Sequence, residues 1–170
     1  FFSLPILAEH QARIDQYTAE LTDAMEQAAL KALADRKPST LSWTVGNVEF
    51  AANRRTPGGP VDHDLPLLVV KSADDGAVRA VYVTYACHCV SLTDNKISGD
   101  WSGFAQETIE RTHPGVTALV SIGCGSDSNP NFGSAGRSLE AAVDQGNQIG
   151  EEVDRLLAGQ FQPISGPVTA

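Results

Sequence analysis

The residues best suited to chemistry lie in the segment YACHCVSLTDNKISGDWSGFA, residues 85 to 105. It places His88 between two cysteines and continues into a Gly-Asp-Trp turn. A neutral imidazole is the commonest protein metal ligand, and a histidine can also be the base for a nucleophilic thiol. Adjacent strand residues point to opposite faces, which disfavours a thiol and base pair here. His88 can therefore be interpreted as a metal ligand, as a buried strand end without chemistry or, less favourably, as the base of a thiol and base pair.

Two further segments carry polar groups at the ends of apolar runs. The first is Asn53-Arg54-Arg55, in which a guanidinium could bind an oxyanion through two hydrogen bonds. The second is the loop GSDSNPN, residues 125 to 131, which offers hydroxyls, amides, a carboxylate and backbone N–H groups. These groups suit an oxyanion site or a hydroxyl nucleophile, and they also suit an ordinary turn.

Hydrophobic periodicity predicts the elements that position these residues. Three-and-four spacing predicts a long amphipathic helix from Ala8 to Arg36 and further helices at residues 103 to 112 and 139 to 157. Gly146 and Gly150 lie inside the last helix, where each costs about 1 kcal/mol relative to alanine unless something packs closely there. Runs of β-formers predict a strand or small hairpin at residues 41 to 55, and two strands within residues 67 to 88 joined through Asp74-Asp75-Gly76.

The remaining segments predict one more strand and two loops. Residues 116 to 124 form a continuous apolar run, which predicts a strand in the centre of a sheet. Residues 56 to 66 and 123 to 136 are rich in turn residues and predict loops. Strands alternating with helices indicate an α/β fold with a mixed sheet flanked by helices. Since ligands in such folds bind at the C-terminal ends of strands, we expect His88 and the loop 125 to 131 to form one site there.

Bulk properties limit the class of protein. A chain of 170 residues with 19% charged residues suits one globular domain. Its net charge of −9 would repel a phosphate backbone, so no nucleic-acid partner is expected. No apolar run reaches the ~20 residues that span a bilayer, so no transmembrane segment is predicted. Composition gives no indication of the oligomeric state.

The order of four short motifs resembles the N-terminal domain of the neutral, or non-lysosomal alkaline, ceramidases. These are the Asn-Arg pair at Asn53 and Arg54, the strand end at His88, a turn through Ile97, Ser98, Asp100 and Gly103, and the loop from Ser126 to Asn131. The likeness covers about residues 51 to 131. It implies that residues 1 to 170 are part of a single catalytic domain whose upstream and downstream portions lie outside this chain. It also implies a secreted or periplasmic location.

The resemblance implies a zinc-dependent hydrolase that cleaves an N-acyl amide bond of a lipid or small-molecule substrate with zinc-activated water. Of the family's two histidine, one glutamate and one tyrosine ligands, only the second histidine has a counterpart, His88, so the other ligands are expected outside this segment. Arg54, Asp127 and Asn129 are the candidate catalytic residues. Asn53, Asp100 and Ser128 are the candidate substrate-binding residues. Zinc would lower the pKa of its bound water toward ~7, and Arg54 would stabilise the oxyanion that develops.

One departure from the family pattern bears on the substrate. Asn129 stands where the family has a serine, and Ser126 stands where it has a glycine. A zinc hydroxide mechanism does not need that serine hydroxyl. Two alternatives remain: a non-catalytic binding or structural module on the same fold, and a metal-independent hydrolase using Ser126 or Ser128.

Overall fold

The computed structural model describes residues 5 to 166, which divide into two compact units at Pro38 and Ser39. The first unit consists mainly of α1, which spans Ala8–Ala34 and ends two residues before the predicted boundary. Its termini carry charges that suit the helix dipole, with Glu9 in the first turn and Lys31 in the last. No residue of α1 is buried. Among the residues that the structure describes, no helix is long and apolar enough to cross a membrane.

The second unit contains the sheet that carries the predicted site. Its elements in chain order are β1 (Ser39–Asn47), β2 (Ala51–Asn53), β3 (Asp64–Ser72), β4 (Val78–Tyr85), α2 (Asp100–Thr112), β5 (Thr117–Ile122), β6 (Ser128–Pro130), α3 (Leu139–Leu157) and β7 (Gln162–Ile164). Five strands form a sheet in the order β5-β4-β3-β1-β7, while β2 and β6 form a separate two-stranded sheet. The larger sheet is mixed, because β4 and β5 are parallel and its other pairs are antiparallel. This confirms the predicted fold class.

Most of the predicted elements are present. The hairpin through Asp74-Asp75-Gly76 joins β3 to β4, and α3 has the predicted bounds. A parallel strand pair needs a crossover connection, and α2 lies within the one between β4 and β5. The first turn of α2 begins at Asp100, three residues before the predicted start.

Three local predictions were wrong, and one short strand was not predicted. The strand at residues 117 to 122 lies at an edge of the five-stranded sheet rather than in its centre. Of the two alternatives for residues 41 to 55, the strand is correct and the hairpin is not, because β1 and β2 belong to different sheets. Both predicted loops contain strand residues, because β3 begins at Asp64 and β6 forms at Ser128–Pro130. The short strand β7 was not predicted, since three residues give too little periodicity to detect.

The core lies between one face of the sheet and the helices α2 and α3. It contains Leu65, Val83, Trp101, Ile109 and Ile149, each at most 1% exposed. Residues on the other face are more exposed: Trp43 by 39%, Tyr82 by 41% and Leu119 by 54%. These three side chains lie in one row across the sheet, because Trp43 pairs through Leu68 with Tyr82, and Tyr82 pairs with Leu119. The helices α2 and α3 therefore cover one face of the sheet. The candidate site lies at the ends of β4 and β5, next to this core.

The two glycines inside α3 allow α2 and α3 to pack closely. A Cβ added at Gly146 would lie 2.5 Å from Cβ of Phe104, and one added at Gly150 would lie 2.4 Å from Cγ2 of Thr108. Both distances are shorter than carbon atoms tolerate, so a side chain at either position would push the helices apart. This contact explains why glycine occupies positions where helix propensity alone disfavours it.

Candidate active site

His88 lies three residues beyond the C-terminal end of β4. The segment after the neighbouring strand β5 returns to the same place, since Gly123 N donates to Tyr85 O at 2.9 Å. Gly125 then packs directly on the backbone before His88, and a Cβ there would lie 2.4 Å from the carbonyl carbon of Ala86. The parallel pairing of β4 and β5 and the small size of Gly125 therefore bring the loop 125 to 131 against His88.

One carbonyl oxygen joins the histidine to the arginine. His88 Nε2 donates to Ser126 O at 3.2 Å, and Arg54 Nε donates to the same oxygen at 3.0 Å. Backbone hydrogen bonds also connect both residues to the loop 125 to 131. His88 N donates to Ser128 O at 3.0 Å, and Arg54 N donates to Asp127 O at 2.7 Å. The structure thus brings together His88, Arg54 and the loop, although they are separated in sequence.

The side chains of His88 and Arg54 differ in solvent exposure, and Arg54 is the one open to a ligand. His88 is half-buried and Arg54 is exposed. Because Nε of Arg54 is used to hold the loop, the two terminal nitrogens of its guanidinium remain the groups that can meet an anion or carbonyl. A guanidinium fixed through Nε in this way is already oriented before a ligand arrives.

Asn53 organises the chain around Arg54. Its Oδ1 accepts hydrogen bonds from the backbone N–H groups of Arg55 and Thr56, both at 3.0 Å. Its Nδ2 donates to Pro60 O at 3.0 Å and to Asp127 Oδ2 at 3.3 Å. Asn53, which was predicted to bind substrate, therefore uses its polar atoms in hydrogen bonds to its own loop and to the carboxylate of Asp127.

Ser128 and Asn129 lie in β6, which pairs with β2 so that Asn53 faces Ser128 and Ala52 faces Asn129. Ser128 is buried, at 2% exposure. Asn129 Oδ1 is buried and has no hydrogen-bond partner among residues 5 to 166. A buried carbonyl oxygen without a hydrogen-bond donor costs about 1 to 3 kcal/mol.

The first turn of α2 holds the segment that follows His88. Trp101 is fully buried and its Nε1 donates to His88 O at 2.9 Å. Asp100 Oδ2 accepts from Leu92 N at 2.8 Å, and Ser102 Oγ lies 3.3 Å from Cys89 Sγ. Asp100 has a φ of 53°, an unusual conformation for a residue other than glycine. Asp100 thus fixes the chain beside His88, and no hydrogen bond among the described residues links its carboxylate to Arg54 or the loop 125 to 131.

Trp101 is the residue at this site that sequence reasoning missed. The Gly-Asp-Trp turn was visible, but the contact between an indole and a backbone carbonyl depends on how the chain folds back. The sequence carried no signal for it beyond the proximity of Trp101 to His88.

The cysteines beside His88 are poor nucleophiles and poor metal ligands. Burial, with smaller contributions from Cys89 and Asp100, raises the pKa of Cys87 to about 12. Burial also raises the pKa of Cys89. Both therefore stay as thiols near neutral pH, while metal binding and nucleophilic attack need the thiolate. The cysteines in the part of the chain that the structure describes form no disulfide.

Of the zinc ligands that the family resemblance implies, the described residues offer one candidate, His88. No group of three or more His, Cys, Asp or Glu side chains among them could hold a metal ion. His63 and His113 are engaged elsewhere, with Val48 O at 3.1 Å and Asp154 Oδ1 at 2.6 Å respectively. His88 fits as a ligand, because donation from Nε2 to Ser126 O leaves the lone pair of a neutral imidazole on Nδ1.

These features define a mixed α/β fold with a polar site at the C-terminal ends of two parallel strands. No protein-family model matches the sequence, and no curated protein sequence matches it significantly. Among solved structures, the chain is similar to the neutral ceramidase of Pseudomonas aeruginosa, with a TM-score of 0.76 and 17% identity over 85% of this chain and 26% of that one. It is also similar to a ceramidase complexed with C2, with a TM-score of 0.67 and 17% identity over 77% and 24% of the two chains.

The chain thus has the fold of a ceramidase segment and spans about a quarter of the length of these structures. This agrees with the resemblance read from the four sequence motifs. At 17% identity the likeness establishes the fold.

Proposed function

We propose that the protein carrying this sequence is a zinc-dependent hydrolase of N-acyl amide bonds, and that residues 39 to 166 supply part of its active site. The observation that supports it most is the convergence of His88 and Arg54 on Ser126 O in a ceramidase-type fold. The substrate is a lipid or small-molecule amide. Ceramide is the substrate class that the names of the similar structures suggest.

Each site residue has a role that its contacts permit. His88 holds zinc together with ligands from outside the described residues. When bound, zinc polarises the amide carbonyl and makes hydroxide available near neutral pH. Arg54 directs its terminal nitrogens at the oxyanion that forms when the carbonyl is attacked. Asn129 lies in β6 with its Oδ1 sealed from solvent, so its role is to position the loop rather than to contact substrate.

The other predicted residues act mainly by positioning. Asn53 holds Asp127 and the chain around Arg54. Asp100 fixes the segment after His88. Ser128, buried opposite Asn53, lines a shallow pocket of about 320 Å³ with Asp127 and Cys124.

Zinc analysis tests this proposal without depending on turnover. We expect the protein carrying this sequence to hold one zinc per chain, and His88→Ala to weaken its binding about tenfold or more through loss of a ligand. Residues 1 to 170 alone should bind zinc weakly, because one imidazole cannot replace a set of three or four ligands. His10→Ala, an exposed position on α1, is the matched control. Tight stoichiometric zinc in residues 1 to 170 that survives His88→Ala would show that the ligands are wrong.

The alternative is a non-catalytic module on the same fold. If the protein carrying this sequence contains no zinc and hydrolyses no amide, the module is the correct interpretation.

A further inference from the structure

The segment that carries His88 belongs to no helix or strand. It runs from the end of β4 at Tyr85 to the start of α2 at Asp100. Among residues 5 to 166, no backbone–backbone hydrogen bond involves residues 89 to 93. Backbone bonds are what hold a regular element in place, so here the contacts of side chains determine how firmly the chain after His88 is held.

Two of these contacts join the segment to the first turn of α2. Asp100 Oδ2 accepts a hydrogen bond from Leu92 N at 2.8 Å, and Cys89 Sγ donates to Ser102 Oγ at 3.3 Å. Asp100 and Ser102 lie only 8 and 13 residues after these partners. Both contacts therefore shape a local turn, and neither fixes that turn against α3.

A hydrogen bond from Ser91 connects the segment to α3. Ser91 Oγ donates to Oε1 of Gln145, which lies 54 residues later in the chain. Ser91 is 0% exposed and Gln145 is 3% exposed, so the bond lies in the interior. Within the part of the chain that the structure describes, it is the only hydrogen bond that residues 88 to 92 make with α3.

Close packing of the two helices brings Gln145 within reach of Ser91. Gln145 precedes Gly146, where an added Cβ would lie 2.5 Å from Cβ of Phe104 on α2. Loss of either partner of an interior hydrogen bond leaves the other partner unsatisfied, which makes any other arrangement of the pair unfavourable. The pair therefore favours one placement of the segment against α3.

We propose that Ser91 and Gln145 are positioning residues for His88. Their hydrogen bond fixes residues 88 to 92 against α3 and so holds the His88 backbone where its Nε2 meets Ser126 O and its Nδ1 faces zinc. Both residues act through the backbone of the segment. The inference rests on the proposed function, because it concerns the zinc that His88 would hold.

Zinc affinity of the protein carrying this sequence, together with hydrogen exchange of its zinc-free form, tests the proposal. We expect Ser91→Ala and Gln145→Met each to weaken zinc binding about tenfold, as loss of groups that orient metal ligands does. Both variants should also speed amide exchange in peptides that cover residues 88 to 92. Because the two substitutions remove the same hydrogen bond, the double variant should bind zinc as weakly as either single variant.

Thr108→Val is the matched control. Thr108 is 8% exposed, and its hydroxyl donates to Asn147 Oδ1 on α3 at 2.9 Å, so it too makes a hydroxyl-to-amide bond to α3. Valine keeps the shape of threonine and removes the hydroxyl. This variant should lower stability in urea denaturation without changing zinc affinity or exchange at residues 88 to 92. It therefore separates positioning of His88 from general support of the fold.

For a wild-type protein that holds zinc, three results would overturn the proposal. They are unchanged zinc affinity in whichever single variant folds, additive losses in the double variant, or an equal loss of affinity in Thr108→Val. Unchanged exchange at residues 88 to 92 in the zinc-free variants would overturn it whether or not zinc binds. A wild-type protein that binds no zinc would contradict the proposed function, and the exchange measurement would still decide whether Ser91 and Gln145 hold the segment.

Discussion

At the scale of single residues, Arg54 is fixed at both its backbone and its side chain. Its N–H and its Nε hold successive carbonyls of one loop, at Asp127 and Ser126. A lysine at this position would keep the charge but could not hold Ser126 O and also present two parallel donors. The planar guanidinium, rather than the positive charge alone, is therefore what distinguishes arginine from lysine at this position.

We predict that Arg54→Lys lowers kcat for amide hydrolysis about a hundredfold, while KM changes much less. The reason is that, in the proposed mechanism, the guanidinium would meet charge that develops only in the transition state. Arg55→Lys is the matched control, because Arg55 is an exposed neighbour. Steady-state kinetics with zinc content checked separates the two variants, and equal, wild-type-like turnover in both would remove Arg54 from the site.

The raised pKa of Cys87, next to His88, makes the stability of the folded protein depend on pH in the alkaline range. Burial raises its pKa from 9.0 to about 12 in the folded protein, so between these values the unfolded chain releases a proton that the folded chain retains. The free energy of unfolding therefore falls as pH rises through this window, by up to about 1.4 kcal/mol per pH unit for this one group. Below pH 9 both states are protonated and the group has no effect.

We predict that Cys87→Ala flattens the decline of stability between pH 9 and 12, whereas Cys124→Ala, at an exposed position, does not. Urea denaturation at several pH values measures this. The comparison uses the slope with pH, since loss of the buried thiol lowers stability at all pH values. Parallel pH profiles for wild type and Cys87→Ala would contradict the prediction.

At the scale of elements, the contact between α2 and α3 supports the turn that holds His88. Trp101 and Asp100 begin α2, and Gly146 and Gly150 let α3 pack against it. Any change that separates the helices would also displace the residues that fix His88 O and Leu92 N.

We predict that Gly150→Ala destabilises the protein by about 1 to 3 kcal/mol, because its methyl group would overlap Thr108. Gly103→Ala is the control: Gly103 lies in α2, a Cβ there meets nothing within 4 Å, and alanine should raise stability by up to about 1 kcal/mol. Thermal or urea denaturation gives both values. Equal effects of the two substitutions would show that the helices do not pack as described.

Sequence patterns found the long elements and misplaced the short ones for physical reasons. The helix Leu139–Leu157 has many turns of periodic residues, whereas β6 and β7 have three residues each. The apolar run at residues 117 to 122 predicted a central strand, but position in a sheet depends on strand order, which the run does not encode. His88 and Arg54 could be found because motif order resembles a known family. The hydrogen bond from the Trp101 indole to His88 O could not be predicted, because it depends on how the chain folds back in the tertiary structure.

At the scale of the whole molecule, the fold places the residues of the candidate site next to one another. The five-stranded sheet places two strand ends side by side, and Gly125 lets the second loop touch the first. The ceramidase structures share this fold over about a quarter of their length. Amide hydrolysis at His88 and Arg54 is the central proposal, and the contacts at these strand ends support it.

Hydrolysis of an N-acyl amide by the zinc-loaded protein carrying this sequence tests that claim most directly. We predict measurable turnover of a ceramide-like amide, a loss of at least about a hundredfold in His88→Ala because a residue that would hold zinc is removed, and wild-type rates in His10→Ala. Circular dichroism of the three proteins checks that folding is unchanged. Turnover that persists in a folded His88→Ala variant, or no turnover in the zinc-loaded wild type, would contradict the account.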